Sequence, residues 1–193
     1  TGAVAGAMAD GNRIGYVANY PIMGVPAGIN AFALGAKLTN PRARIELKWS
    51  CLPGDPVREF KEQGITVISN RDADGARPAL AQDLGTFLVN GDGSLRSLAS
   101  PRWNWGKYYE QTVRTIMQNG IESVRSGGEA VNDWWGISTG VVDVDIDETL
   151  PNGVTQLAQF LKQGIHNEEI DPFLRPITDQ RGAVVSDGTR RFS

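Results

Sequence analysis

The 193-residue sequence has one cysteine, Cys51, and one histidine, His166. A lone cysteine excludes an internal disulfide. A lone histidine removes Ser-His-Asp schemes and most imidazole-based metal sites. No apolar run approaches the ~18 residues that a membrane-spanning helix needs. Neither sign of charge dominates: 19 basic and 22 acidic residues are interspersed, for a net charge of −3. Without a basic stripe, nucleic-acid binding has no electrostatic support. No nucleophile–base pair stands out, so neither an enzyme nor a cofactor is expected. One acidic array exists, Asp143, Asp145, Asp147 and Glu148. Its D-x-D-x-D spacing is a weak cation signal, because alternate residues of a strand share a face without forming a cage, and no metal is expected there.

The most informative stretch is 12–50. Ile14, Gly15, Tyr16 and Val17 form a short β-rich run. Asn19-Tyr20-Pro21 ends it, because proline cannot donate to a ladder and drives Tyr20 out of the helical region. Pro26 suits a first helical turn, and Ile29, Phe32, Ala33 and Ala36 then recur on one helix face. Thr39-Asn40-Pro41 stops that helix. Ile45, Leu47 and Trp49 alternate with Arg44, Glu46 and Lys48, which predicts a strand with one buried face. The unit is βαβ, with parallel strands and a right-handed crossover. In open parallel sheets, ligands bind beyond the carboxyl ends of the strands, here 18–23 and 50–55. The loop after the first strand lacks G-x-G-x-x-G, and G-x-x-x-x-G-K-[ST] occurs nowhere, so those nucleotide sites are not expected.

Further along, Asp55 and Pro56 predict the cap and first residue of a short helix over 53–62. Residues 65–68 and 86–89 read as third and fourth strands with a short helix over 76–84 between them, so a parallel arrangement continues. Residues 95–100 suit another short strand. Tyr109, Val113, Ile116 and Met117 share a helix face that ends at Asn119-Gly120. A β run at 141–144 and an amphipathic helix opening at Pro151 follow, then a hairpin over 174–185 turning at 179–182. The fold class expected is α/β, a three-layer parallel sheet with helices on both faces. Gly2, Ala3, Ala5, Gly6, Ala7 and Ala9 suggest the end of a helix that packs closely on something, and the sequence is expected to be a piece of a longer protein.

Four segments, taken in order and spacing, are specific together: GYVANYPIMGVPAGINAFALGAKLTNPRARIELKWS, SPRWNWGKYY, WWGISTGVVDVD and DPFLRPITDQRGAVV. They resemble the basic membrane protein (BMP), or PnrA-like, family of substrate-binding proteins for ABC importers. The resemblance runs over nearly all of the sequence. It implies a type I periplasmic-binding-protein fold of two α/β lobes, with a purine nucleoside or related purine bound between them. It also implies an ABC permease as partner and an extracytoplasmic lipoprotein. On this resemblance 1–10 is the end of a helix from an absent first lobe. Residues 11–103 are the second lobe, and 104–193 supply the hinge-crossing helix, a strand, the last helix and the C-terminal hairpin. Exposed lobe-facing surface would favour a homo-oligomer. The sequence also resembles a branch that lacks a signal peptide, so a cytoplasmic ligand-sensing regulatory domain stands as the second reading.

The candidate ligand-binding residues are Tyr20, Ser69, Asn70, Asp72, Asp92 and Trp103. Tyr20 ends the first strand, and Ser69, Asn70 and Asp72 end the third. Asp92 follows the fourth strand, where a carboxylate can accept ribose hydroxyls or simply close a turn between two glycines. Trp103 offers a flat face for a heterocycle or for packing. The resemblance implies that Ser69 stands where nucleoside-binding members stack an aromatic ring. It implies that Trp103 stands where they carry a lysine, and that Asp92 keeps their acidic residue. Asn104 suits either a base edge or the cap of the next helix, and Trp105, Tyr108 and Tyr109 suit a packing cluster.

Overall fold

The computed structural model describes residues 1–22, 24–70, 84–124, 135–174 and 176–188. The βαβ unit forms as its pattern dictates. Strand β1 (Arg13–Ala18), helix α2 (Val25–Thr39) and strand β2 (Arg44–Trp49) follow a short first helix, α1 (Gly2–Met8), and the two strands run parallel. Pro26 lies in the first turn of α2, and Asn40 closes the helix. Phe32 and Ala36 are the buried residues of α2, with Phe32 edge-on to Tyr16 at a centroid distance of 5.0 Å.

Alternation along β1 separates two cores. Ile14, Tyr16 and Ala18 face α1 and α2, and Val17 faces the other side. There it meets Phe60 of α3 (Pro56–Glu62), with Ile65 and Ile68. Asp55 caps α3 by accepting the Arg58 N–H at 3.0 Å. Full burial of Phe60 contributes about 1.5–3 kcal/mol. Helix α5 (Asn152–His166) joins the α1–α2 side through Val154 and Ala158. Helices therefore lie on both faces of the sheet, giving the three layers expected. Gly2 and Gly6 of α1 are buried against α2: a Cβ at Gly6 would stand 2.3 Å from the Ala36 carbonyl oxygen.

The sheet departs from an all-parallel arrangement in its second half. Its order is β2-β1-β3-β4-β5-β6, where β3 is Val67–Asn70, β4 Gly85–Val89, β5 Leu95–Trp103 and β6 Val142–Ile146. Strand β3 is parallel to β1, but β4 is antiparallel to β3, β5 to β4 and β6 to β5. A β-rich run carries no sign of its direction. The helix expected over 76–84, which would have made β4 parallel, lies almost wholly outside the described residues. The tight link 90–94 between β4 and β5 can only join antiparallel neighbours. Gly85 begins β4 at φ 139°, and a Cβ there would stand 2.5 Å from the Ala99 carbonyl oxygen and the Ser100 hydroxyl. Beyond the sheet, α4 (Trp105–Asn119) ends at Gly120, and β7 (Ile177–Thr178) and β8 (Val184–Ser186) form the C-terminal hairpin. No helix among the described residues is long and apolar enough to cross a membrane.

Candidate functional site

The carboxyl ends of β1, β2 and β3 share one edge of the sheet. Because β4 and β6 run the other way, their amino ends lie on that edge too, with the carboxyl end of β5. Val17 is opposite Asn70, and Asn70 is opposite Gly85, which abuts Ser100. Three residues past this row, Tyr20 leaves β1 and Trp103 ends β5. Strand rise puts each up to ~10 Å beyond the row, and three strand spacings separate them laterally by ~14 Å. Both side chains are exposed, at 51% and 40%. Asn70, at the end of a strand between theirs, is half-buried. This edge, the shelf, therefore carries an aromatic residue at each side, with the strand that ends in Asn70 between them.

Two candidates fall elsewhere. Asp92 was expected beside the other site residues; it lies instead in the β4–β5 link, at the opposite end of the sheet. The reversal of β4 is the physical reason. Its carboxylate accepts the Ser94 hydroxyl at 2.6 Å and the Ser94 N–H at 2.9 Å, and these bonds hold its pKa below the usual carboxylate value. Ser69 lies within β3, not past it, and is 1% exposed. Its hydroxyl donates to the Gly85 carbonyl at 3.3 Å, so it braces β3 against β4 beneath the shelf. Asp72 lies outside the described residues. Cys51, past the end of β2, is exposed.

Around Trp103 the edge is built from long-range contacts that the sequence pattern does not announce. Arg102 donates to Asp143 at 2.7 Å and pairs with Asp145 at 3.3 Å, and Lys162 of α5 meets Asp143 at 2.6 Å. Partial burial pushes the Asp143 pKa up, but hydrogen bonds from Lys162, the Val144 N–H and Arg102 outweigh it and hold the group at about 2. Asn104 occupies the cap position of α4 without capping it. Its amide donates to the Gly140 carbonyl at 2.9 Å. Tyr108 makes edge contacts with Trp105 and Tyr109 and lies against Trp135 at 4.9 Å, but Trp105 and Tyr109 themselves stay exposed.

A cleft of about 270 Å³ opens beside this corner, lined among others by Asn104, Lys107, Gly140, Lys162, Gln163 and His166. Lys107 and Lys162 drew no attention in the sequence. Lys107 sits in the aromatic run SPRWNWGKYY, which was the available signal. Lys162 has none, since its partner stands on a strand 19 positions earlier. The exposed face of α4 completes the picture: the helix has no buried residue, and Met117 is 81% exposed.

Residues 1–56 match the family model for ABC transporter substrate-binding proteins of the PnrA-like, or Bmp, type. The sequence is 27% identical over 194 residues to a purine-binding protein of Brucella abortus, covering 94% of this chain and 53% of that protein. It is 32% identical over 186 residues to a putative ABC transporter glucose-binding protein of Haloferax volcanii, covering 88% of this chain and 45% of that one. The chain thus spans about half the length of the curated relatives it matches. Among solved structures, an ABC transporter solute-binding protein from Conexibacter woesei superposes with a TM-score of 0.58 at 17% identity, covering 88% of this chain and 60% of that one. A transcriptional activator of the comK gene from Bacillus halodurans superposes with a TM-score of 0.61 at 18% identity, covering 89% and 62%. At these identities the likeness is one of fold.

Proposed function

We propose, starting from this chain's membership of the Bmp, or PnrA-like, family of ABC transporter substrate-binding proteins, that it forms one wall of a binding cleft for a purine base or nucleoside. The observation that carries the reading is the shelf between Tyr20 and Trp103. A flat heterocycle is held by aromatic faces and a few polar groups, and Tyr20, Trp103 and the Asn70 amide have that chemistry. An amide offers both donor and acceptor to a base edge.

Two further features favour a site completed by a second lobe. The corner cleft, at about 270 Å³, falls just below the range of ~300–1,000 Å³ that encloses small ligands. The apolar stripe of α4, with Trp105, Tyr109, Val113 and Met117 exposed, is surface that a neighbouring lobe or a second copy of the chain would bury. Closure of two lobes around the ligand would then present the loaded protein to a permease outside the cytoplasm.

Purine is favoured over sugar by the aromatic pair and by the name of the Brucella relative, while the Haloferax relative is named for glucose. Calorimetric titration of the protein with adenine, guanine, adenosine, guanosine and glucose tests this. Saturable heat with one purine compound, much weakened by Trp103→Ala, is the expected result. Heat with glucose alone would overturn the purine assignment and keep solute binding. No heat with any of the five would overturn the purine assignment.

A further inference from the structure

A second pocket lies at the other end of the sheet, away from the shelf, and does not depend on the reading above. It has a volume of about 460 Å³ and is lined among others by Asn12, Arg13, Lys37, Arg42, Arg44 and Gln180. Among the described residues, four that line it are cationic and none is a carboxylate. On a chain with net charge −3, that concentration of one sign is local.

The backbone explains how the charges come together. Ala43 is buried, whereas Arg42, in the turn before β2, and Arg44, at the start of the strand, are both exposed. Arg44 opens β2 directly opposite Arg13, which opens β1. Like charges directly opposite one another in a sheet are unfavourable. Arg13 is answered by Glu46, with its second nitrogen at 2.9 Å, and by the Gln63 carbonyl. Among the described residues, Lys37 meets only a carbonyl, that of Asp179 at 3.1 Å. The Asp179 carboxylate is turned into its own hairpin, accepting from the Arg181 and Ala183 N–H groups. Among the described residues, the Arg42 and Arg44 guanidinium groups have no hydrogen bond or ion pair.

The pocket walls are held in place. Asn40 accepts the Arg42 N–H at 3.1 Å and donates to Asn12 at 3.0 Å, which fixes the turn before β2. Gln180 bonds the Ile45 N–H at 3.2 Å, so the C-terminal hairpin is fastened beside the arginines. A cluster of like charges on a braced turn breaks a local rule with no gain to the fold, and such violations concentrate at functional sites.

We infer that this pocket is a second binding site, for an oxyanion of the phosphate class. Two free guanidinium forks match phosphate oxygens two at a time, and the Lys37 ammonium adds a point charge. The phosphate belongs either to a free anion or to an anionic lipid headgroup, and the chemistry at the pocket is the same.

The test uses pyrophosphate and, separately, vesicles of phosphatidylglycerol in phosphatidylcholine, at constant ionic strength. Amide shifts in a two-dimensional NMR spectrum are followed for the 12–13, 42–44 and 180–181 backbone. Pyrophosphate should move these signals saturably, and Arg42→Gln with Arg44→Gln should weaken the affinity at least tenfold. Both arginines are exposed, so the double variant keeps its fold, which its spectrum verifies. Arg114→Gln, on the far side of the molecule in α4, should leave the affinity unchanged. Vesicle binding that the double variant loses, without a pyrophosphate response, would support the headgroup source. A pyrophosphate response without vesicle binding would support the free anion. No response to either probe, or equal affinity in the wild type and the double variant, would overturn the site.

Discussion

The side-chain amide of Asn104 donates to the Gly140 carbonyl at 2.9 Å, across 36 positions of sequence. This bond, together with the Asn104 N–H to the Val141 carbonyl at 2.7 Å, fastens the point where the chain leaves β5 to the point where it enters β6. Trp103 is the residue just before that fastening. Asn104→Ala should lower stability by about 1 kcal/mol, the usual worth of one part-buried hydrogen bond. Asn104→Asp keeps the size but loses the donor, so it should lose as much or more. Urea denaturation at neutral pH measures both.

The Asp143 carboxylate joins three elements, since β6 carries it, β5 supplies Arg102 and α5 supplies Lys162. Its pKa is held at about 2, below the ordinary 3.8. A carboxylate depressed on folding contributes stability above its unfolded pKa and loses it as pH falls through the folded value. Allowing for the exposed Arg102, the contribution at neutral pH is about 1–2 kcal/mol. Asp143→Asn should therefore be less stable than wild type at pH 7, and the gap should close between about pH 4 and pH 2. Denaturation curves at pH 7, 5 and 3 would show it, and a gap constant with pH would rule out this account.

Helix α1 lies against α2 without room for a side chain at its glycines. A Cβ at Gly6 would meet the Thr39 hydroxyl at 2.4 Å as well as the Ala36 carbonyl. Gly6→Ala should cost ~1–3 kcal/mol through overpacking, despite the better helix propensity of alanine. A Cβ added at Gly153, near the start of α5, would meet no described residue within 4 Å beyond its own turn of helix. Gly153→Ala should instead stabilise by about 0.4–1 kcal/mol. Thermal melts of the two variants, shifted in opposite directions, would separate packing from propensity.

What the sequence discloses follows the range of its interactions. The helix α2, its Pro26 start and Asn40 end, the Asp55 cap of α3 and the turn at Asp179 are written in residues a few positions apart, and each forms where the pattern puts it. The two-sided burial of β1 is likewise local, since alternation alone assigns Tyr16 and Val17 to different cores. Strand direction is not local. Nothing between Gly85 and Val89 says that β4 returns alongside β3, yet that reversal decides which end of the sheet Asp92 occupies. The grouping of Arg102 and Lys162 on Asp143 is equally hidden, because it exists only once β5, β6 and α5 have met. The shelf was therefore legible through Tyr20 and Asn70, which end parallel strands, and through the aromatic run that contains Trp103.

The placement of Asp92 leads to the most discriminating expectation for ligand binding. A family-based assignment makes this carboxylate a direct contact to the ligand. The geometry ties it to Ser94 in a hairpin turn, beside Lys61, whose ammonium donates to the Gly93 carbonyl at 2.7 Å. If the ligand lies on the shelf, Asp92→Ala should leave its affinity within twofold, and should cost only the turn, about 1 kcal/mol of stability. Trp103→Ala and Asn70→Ala should each weaken binding about five- to thirtyfold, because a lost stacking face or base-edge hydrogen bond is worth about 1–2 kcal/mol. Titration of the three variants with the four purine compounds and glucose would read this directly. Strong loss in Asp92→Ala with little change in Trp103→Ala would move the ligand to the opposite end of the sheet, and the shelf would then have to be abandoned as the site.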